Sequence, residues 1–141
     1  MLTRRGFTAV AGCAICGIGE FVATEAYAQG AATPAVPGVT RKILSQIDGP
    51  VPGYTTISME VTIDKGTTVA RHKHPGIESS YVMEGSFDLP IQGQPTRAMK
   101  PGEAVQIPPE TPHAGGPPAD NNIRLLNTYI VEKGKPLISP A

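Results

Sequence analysis

Three histidines and one glutamate are the residues whose type and spacing suit metal chemistry. The chain has only three histidines, His72, His74 and His113. One residue separates His72 from His74, so on a strand their imidazoles project from the same side. Glu78 follows the Pro75-Gly76 bend, which can return its carboxylate toward the same point. Because neutral imidazole is a common metal ligand, this spacing predicts a metal-binding site.

The surrounding residues resemble the two sequence motifs of the cupin family. The first motif is matched at every defined position by Gly66-x5-His72-x-His74-x3-Glu78-x6-Gly85. The second is resembled by Gly102-x5-Pro108-x4-His113. The resemblance extends roughly from Thr40 to Val131 and implies an all-β fold, a single-domain cupin β-barrel or double-stranded jelly roll.

The resemblance also implies a ligand set. His113 stands in the place of the fourth ligand, so His72, His74, Glu78 and His113 are expected to hold one divalent metal ion. Three imidazoles and one carboxylate suit Fe, Mn, Ni, Cu or Zn and do not suit Mg or Ca. We therefore expect one divalent transition metal as the cofactor, and the pattern leaves its identity open.

Two positions depart from the second motif. Glu110 stands where the family usually has glycine, and Pro117 stands where it usually has asparagine. Both positions are structural in the family. We therefore expect the turn before His113 to differ in shape from that of the relatives.

The remaining sequence has the pattern of many short strands. Glycine and proline, at 16 and 15 residues, are abundant, as in strands joined by tight turns. Tyr54–Ile63 is the clearest strand, because apolar and polar residues alternate along it. Glu84-Gly85-Ser86 is expected to be a hairpin turn. The predicted strands are 40–47, 54–63, 67–72, 79–83, 87–91, 96–99, 104–107 and 123–131, and no segment has a convincing helical period.

The first 28 residues resemble a twin-arginine export signal. Arg4 and Arg5 precede Phe7 and an apolar stretch, and Ala26-Tyr27-Ala28 predicts cleavage after Ala28. The alternatives are an uncleaved membrane anchor, for which the stretch is short, and lipoprotein cleavage before Cys13. We expect a periplasmic or secreted protein without a membrane span after cleavage. Its organisation is then a signal at 1–28, a flexible linker at 29–38 and a cupin domain at 39–141.

Charge and surface pattern limit the partners. Lysine plus arginine equals aspartate plus glutamate at 12 each, so there is no net basic field to hold nucleic acid. Tyr81 and Met83 should face outward by alternation from Glu78, which favours a homodimer. Arg97 has the geometry to hold a carboxylate, but a solvated strand arginine is the commoner case.

Three classes of function fit the pattern. The first is a metal-dependent enzyme acting on a small organic substrate, and the likeness to small quercetin-dioxygenase-like cupins favours an oxygenase. If a general base is needed, Glu78 is the candidate catalytic residue. The second is a non-catalytic periplasmic module that binds a metal or small molecule. The third, a structural or storage protein, is disfavoured by the intact ligand set.

Overall fold

The computed structural model describes residues 35–114 and 116–141, which fold as strands joined by turns. In chain order the strands are β1 (Val39–Asp48), β2 (Tyr54–Ile63), β3 (His72–Lys73), β4 (Gly76–Glu84), β5 (Phe87–Leu89), β6 (Arg97–Met99), β7 (Ala104–Ile107), β8 (Ile123–Glu132) and β9 (Ser139–Pro140). These two ranges contain no helix, and therefore none that could cross a membrane. The predicted export signal lies outside the described residues.

The main sheet has five antiparallel strands in the order β1-β2-β8-β4-β7. Burial alternates along β2 and β8, so one face of the sheet is packed and the other is in contact with solvent. The packed face carries mostly aliphatic side chains, with Met59 and Tyr129 among them. The expected all-β fold is confirmed by this architecture.

Two small sheets complete the structure, and both contribute to the region around the histidines. One pairs β3 with β9, and the other pairs β5 with β6. His113 lies between them, because it forms isolated bridges with His72 of β3 and with Ile91, two residues after β5. The small sheets therefore bring residues that are distant in sequence to one end of the main sheet.

Two local expectations are wrong, and both concern pairing between distant segments. Residues 67–71 form no strand, and only His72–Lys73 does, because the chain is passing there from the main sheet to the β3–β9 sheet. The turn at Glu84-Gly85-Ser86 joins no hairpin, since β4 pairs with β7 and β8 while β5 pairs with β6. Gly85 has a φ of 81°, and a side chain there would collide with the Asn122 carbonyl. This glycine therefore redirects the chain between two sheets.

Residues 35–38, the part of the predicted linker that the structure describes, contact the folded domain. Val36 bridges to Val39, and the Gly38 carbonyl accepts a hydrogen bond of 2.8 Å from the amide of Asp64. Residues 29–34 lie outside the described ranges. The chain is thus attached to the domain slightly before the predicted boundary at residue 39.

Candidate metal centre

The three histidines converge on one point. The amide of His72 donates to the carbonyl of His113 at 2.8 Å, and the amide of His113 donates back at 2.9 Å. The ring centroids of this pair are 4.4 Å apart, and those of His72 and His74 are 5.1 Å apart. One ring nitrogen from each histidine lies within 4.8 Å of the others. Backbone pairing thus brings the third imidazole to the first two.

Strand alternation places His72 and His74 together, as the spacing predicted. Lys73, between them, pairs instead with Glu110, its Nζ lying 2.6 Å from Oε2. After His74, Pro75 leads directly into Gly76, the first residue of β4. A side chain at Gly76 would collide with the Ile130 carbonyl of β8. Glycine therefore lets the chain bend sharply into the main sheet, which carries Glu78 back to the histidines.

Each histidine is oriented by a backbone carbonyl. Nδ1 of His72 lies 2.8 Å from the carbonyl oxygen of Ala70. The corresponding distances are 2.6 Å from His74 to Leu137 and 2.9 Å from His113 to Thr111. A carbonyl oxygen only accepts hydrogen bonds, so each Nδ1 carries the proton. In the neutral rings the Nε2 lone pairs are then free to face the centre, as in histidines that bind metals.

Glu78 presents its two carboxylate oxygens to different neighbours. Oε1 accepts hydrogen bonds from Ser80 Oγ at 2.7 Å and Asn127 Nδ2 at 2.8 Å, with the Tyr129 hydroxyl at 3.4 Å. Oε2 lies 2.8 Å from Nε2 of His74 and 3.1 Å from Nε2 of His113. The side chains on one side therefore fix the carboxylate, and its free oxygen points at the histidines.

Burial and charge act in opposite directions on these groups. Burial lowers the pKa of His72 to about 4, which keeps that imidazole neutral. Burial alone would raise the pKa of the Glu78 carboxyl, but the imidazoles of His113 and His74 outweigh it and hold this pKa well below its usual range. Burial also opposes protonation of His113, yet the Glu78 carboxylate raises the pKa of that imidazole overall. Glu78 is therefore an anion that attracts either a proton or a cation.

The residues present fit a bound cation. Among the described residues, His74 Nε2 and Glu78 Oε2 are buried atoms without a hydrogen-bond partner, although they lie close together. With the proton of each imidazole on Nδ1, lone pairs face each other across this gap. Such an arrangement is unfavourable in a buried site unless a positive charge lies between the lone pairs. A divalent metal ion would supply that charge.

A pocket opens beside the centre, lined mainly by apolar side chains from the packed face of the main sheet and by Phe87 and Leu89. Ile138, from the segment before β9, also lines it. Its polar lining comprises Arg41, His72, Glu78, Ser80, His113, Asn127 and Tyr129. A small molecule in the pocket would therefore lie against an apolar wall with the candidate metal ligands at one side.

The structure shows where each residue singled out in the sequence lies relative to the centre. The structure brings together all four residues predicted as ligands. Tyr81 and Met83 are exposed, and so is Arg97, so none of them contributes to the centre. Glu110 has a φ of 56°, so it adopts the left-handed conformation that favours glycine, the usual residue of the motif. At this position the backbone therefore has a conformation suited to glycine although the residue is glutamate, and the expected difference in turn shape stays a prediction.

The motif spacing did not identify the groups that orient the ligands. Ser80 lies two residues after Glu78 on β4, and Asn127 and Tyr129 share the packed face of β8. Alternation along the predicted strands would have placed all three on the Glu78 side of the sheet. The three backbone carbonyls have no such signal, because any residue type supplies a carbonyl.

Comparison with known proteins agrees with this architecture. A model of the cupin domain matches residues 59–129, about half of the chain, and this range contains all four candidate ligands. The chain belongs to the cupin family. No curated protein matches the sequence significantly.

Solved structures with the same fold include proteins of different activities. DMSP lyase DddQ from Ruegeria pomeroyi superimposes with a TM-score of 0.62 at 20% identity, over 73% of this chain and 51% of the lyase. The chain thus spans about half the length of that enzyme. The polyketide cyclase RemF from Streptomyces resistomycificus gives a TM-score of 0.60 at 26% identity, over 79% of this chain and 76% of the cyclase. An RmlC-like cupin from Shewanella frigidimarina gives 0.58 at 21%, over 74% and 86%.

Proposed function

We propose that the chain binds one divalent transition-metal ion through Nε2 of His72, His74 and His113 and Oε2 of Glu78. The supporting observation is that two buried polar atoms, Nε2 of His74 and Oε2 of Glu78, lie 2.8 Å apart and have no hydrogen-bond partner among the described residues. Three nitrogen donors and one carboxylate favour Fe, Mn, Ni, Cu or Zn. Mg and Ca prefer all-oxygen sites, so neither fits this set.

We further propose that the protein is a metal-dependent enzyme acting on a small organic molecule, with an oxygenase reaction as the activity to test first. When bound, the metal supplies Lewis-acid or electron-transfer chemistry. The apolar wall of the pocket would orient the substrate with its polar groups toward the polar side. The named activity of the polyketide cyclase, 26% identical to this chain, supports a small organic substrate.

Glu78 acts in this proposal as the anionic ligand and as the candidate proton acceptor. Its Oε1 already accepts hydrogen bonds from Ser80 and Asn127. A proton taken up from the substrate would therefore reside on Oε2, the oxygen that faces the histidines, so Oε2 would serve either as metal ligand or as proton acceptor at any one time. The lowered pKa of Glu78 favours the ionised carboxylate, so the role of ligand comes first and proton transfer requires a substrate proton of high acidity.

The decisive experiment loads the purified protein with each of the five metals and measures stoichiometry by elemental analysis. We expect one ion per chain for at least one metal, and oxygen consumption or substrate conversion with a panel of catechols, flavonols and other small organic molecules. His113→Ala is the matched control. Stoichiometric binding without turnover would favour the alternative, a non-catalytic binding module. Failure of all five metals to bind would refute the site.

We propose that the mature protein is a homodimer. The outer face of the main sheet exposes four large apolar side chains, those of Ile77, Tyr81, Met83 and Leu126. Tyr81 on β4 lies opposite Leu126 on β8. Exposed apolar surface of this kind often marks an interface between subunits. Light scattering should give twice the chain mass for the wild type and the single chain mass for Tyr81→Glu. A monomeric wild type at micromolar concentration would contradict the proposal.

We also propose export to the periplasm or beyond by the twin-arginine route. The proposal rests on Arg4, Arg5 and the small-residue motif ending at Ala28. Replacing both arginines by lysine keeps the charge but changes the paired arginines, so fractionation should find the precursor in the cytoplasm. If the double variant is exported at full yield, the signal belongs to another class.

A further inference from the structure

Arg41 is a cation on the inner side of the barrel wall. It lies on β1 directly opposite Val61 of β2, and Val61 is buried in the core. Residues opposite each other in an antiparallel pair project from the same face of the sheet. Arg41 therefore projects toward the interior and lines the same pocket as His72 and Glu78.

This guanidinium has no anionic partner within the part of the chain that the structure describes. No carboxylate oxygen of the described residues lies within 4.0 Å of the Arg41 guanidinium. Arg124, on the outer face, contacts both Glu60 and Glu84. A half-buried charge beside an apolar wall is costly unless an anion pairs with it.

A second polar group in the pocket is also unpaired. Asn127 is 3% exposed, and its Nδ2 donates to Glu78 Oε1 and to the Tyr129 hydroxyl. Its Oδ1 is buried and has no hydrogen-bond partner among the described residues. Asn127 thus belongs to the polar side of the pocket.

We propose that the pocket binds a small molecule with an apolar body and a carboxylate, and that the carboxylate pairs with Arg41. The planar guanidinium presents two parallel donors that match the two oxygens of a carboxylate. A phosphate would match the same donors. The largely apolar wall favours the group with the smaller charge, because burying a dianion costs more.

The charge balance of the metal centre points the same way, and this part of the argument rests on the proposed metal site. With neutral histidines, a divalent ion and Glu78 leave one positive charge in excess, and Arg41 adds a second. An anionic ligand reduces that excess, so the charge balance favours an anion; the choice of a carboxylate over a phosphate rests on the apolar wall. The Arg41 contact itself needs no metal, so it can be tested with and without the ion.

The test measures binding by calorimetry and ligand-observed NMR to metal-free and metal-loaded full-length protein. The probes are benzoate, phenylacetate and hexanoate, each compared with its primary amide, together with phenyl phosphate. For at least one pair we expect the carboxylate to bind roughly tenfold or more tightly than the amide in both metal states. Arg41→Gln should abolish this preference, and Arg41→Lys should retain part of it. Arg97→Gln is the control, because it removes the same charge from an exposed site on β6.

Each outcome bears on the inference. It fails if no carboxylate binds the wild type, if phenyl phosphate binds more tightly than every carboxylate, or if Arg41→Gln and Arg97→Gln behave alike. A preference that appears only with metal and survives Arg41→Gln assigns the carboxylate to the metal, which overturns the inference and leaves the proposed function intact. A preference that depends on Arg41 in a protein that binds no metal supports the inference and overturns the metal site. If Arg41→Gln unfolds, the carboxylate–amide comparison in the wild type and Arg41→Lys still decides.

Discussion

The histidine side and the glutamate side of the candidate metal centre are built in different ways. His72 lies on the two-residue strand β3, His74 directly follows that strand, and His113 lies in a loop. Their Nδ1 atoms are held by the backbone carbonyls of Ala70, Leu137 and Thr111, respectively. Their orientation therefore depends on the path of the chain. Substituting the residue that supplies a carbonyl leaves the hydrogen bond available, provided the backbone keeps its course.

Glu78 is held instead by side chains of the main sheet. It lies on the nine-residue strand β4, between β7 and β8, and Ser80, Asn127 and Tyr129 surround its Oε1. Here β4 is paired on both sides, and the orienting groups can be removed one at a time. The two sides should therefore respond differently to substitution: the histidine side to changes in backbone, the glutamate side to changes in hydrogen bonding.

The largest effects should follow loss of a ligand, and the two sides should differ in the metal-free protein. We expect His74→Ala to weaken metal binding more than about a hundredfold and to lower thermal stability, because it leaves a cavity. Glu78→Gln should also lose the metal. Ser80 and Asn127 donate, so the glutamine oxygen takes the place of Oε1 and its amide group faces the Nε2 lone pairs of the histidines. That amide satisfies the lone pairs, so the metal-free Glu78→Gln protein should melt above the metal-free wild type.

Melting temperature and metal content, measured with and without added metal, check this pair of variants. The wild type should gain stability with metal by ligand linkage, and neither variant should. Wild-type metal content in both variants would remove these residues from the ligand set. A Glu78→Gln protein that binds metal as well as the wild type would contradict the hydrogen-bond assignment at Oε1.

Intermediate effects should follow loss of the groups that orient the ligands. Ending the chain after Pro136 removes the Leu137 carbonyl and β9, so we expect metal affinity to fall roughly 10- to 100-fold. Leu137→Ala is the matched control, because it shortens the side chain and keeps the carbonyl. Ser80→Ala removes one of the donors to Glu78 Oε1 and should cost less than about tenfold, since Asn127 remains. Competition with a chromogenic chelator measures all three affinities, and equal losses for truncation and Leu137→Ala would argue against the role of the carbonyl.

The same contrast explains which features could be predicted from the sequence. Motif spacing singled out His72, His74, Glu78 and His113, and the structure brings their side chains together. That they bind a metal stays a prediction. Alternation correctly predicted the bounds of β2 and β7. It was wrong at residues 67–71 and at the turn around Gly85, where the outcome depends on which distant strand is available as a partner. A local pattern contains no information about that choice.

The orienting groups divide in the same way. Ser80, Asn127 and Tyr129 could have been inferred from the inner faces of β4 and β8. The carbonyl of Leu137 could not, since its position depends on the pairing of β9 with β3. Arg41 was equally hidden, because its inward direction follows from its register with Val61.

The smallest effect is expected at Glu110, on the histidine side. Its φ of 56° is unfavourable for a residue with a side chain, and its amide donates to the His74 carbonyl at 2.9 Å. Glu110→Gly relieves the backbone strain but gives up the exposed ion pair with Lys73 and adds freedom to the unfolded chain. Glu110→Ala loses the same ion pair and keeps the strain. The melting temperature of Glu110→Gly should therefore be a few degrees above that of Glu110→Ala. Both variants should bind metal within about twofold of the wild type, because His74 is positioned by backbone hydrogen bonds and not by the Glu110 carboxylate. Differential scanning calorimetry with chelator competition separates the two effects. If alanine melts above glycine, the left-handed conformation is not a source of strain, and a large loss of metal in both variants would make the Lys73–Glu110 pair part of the histidine support.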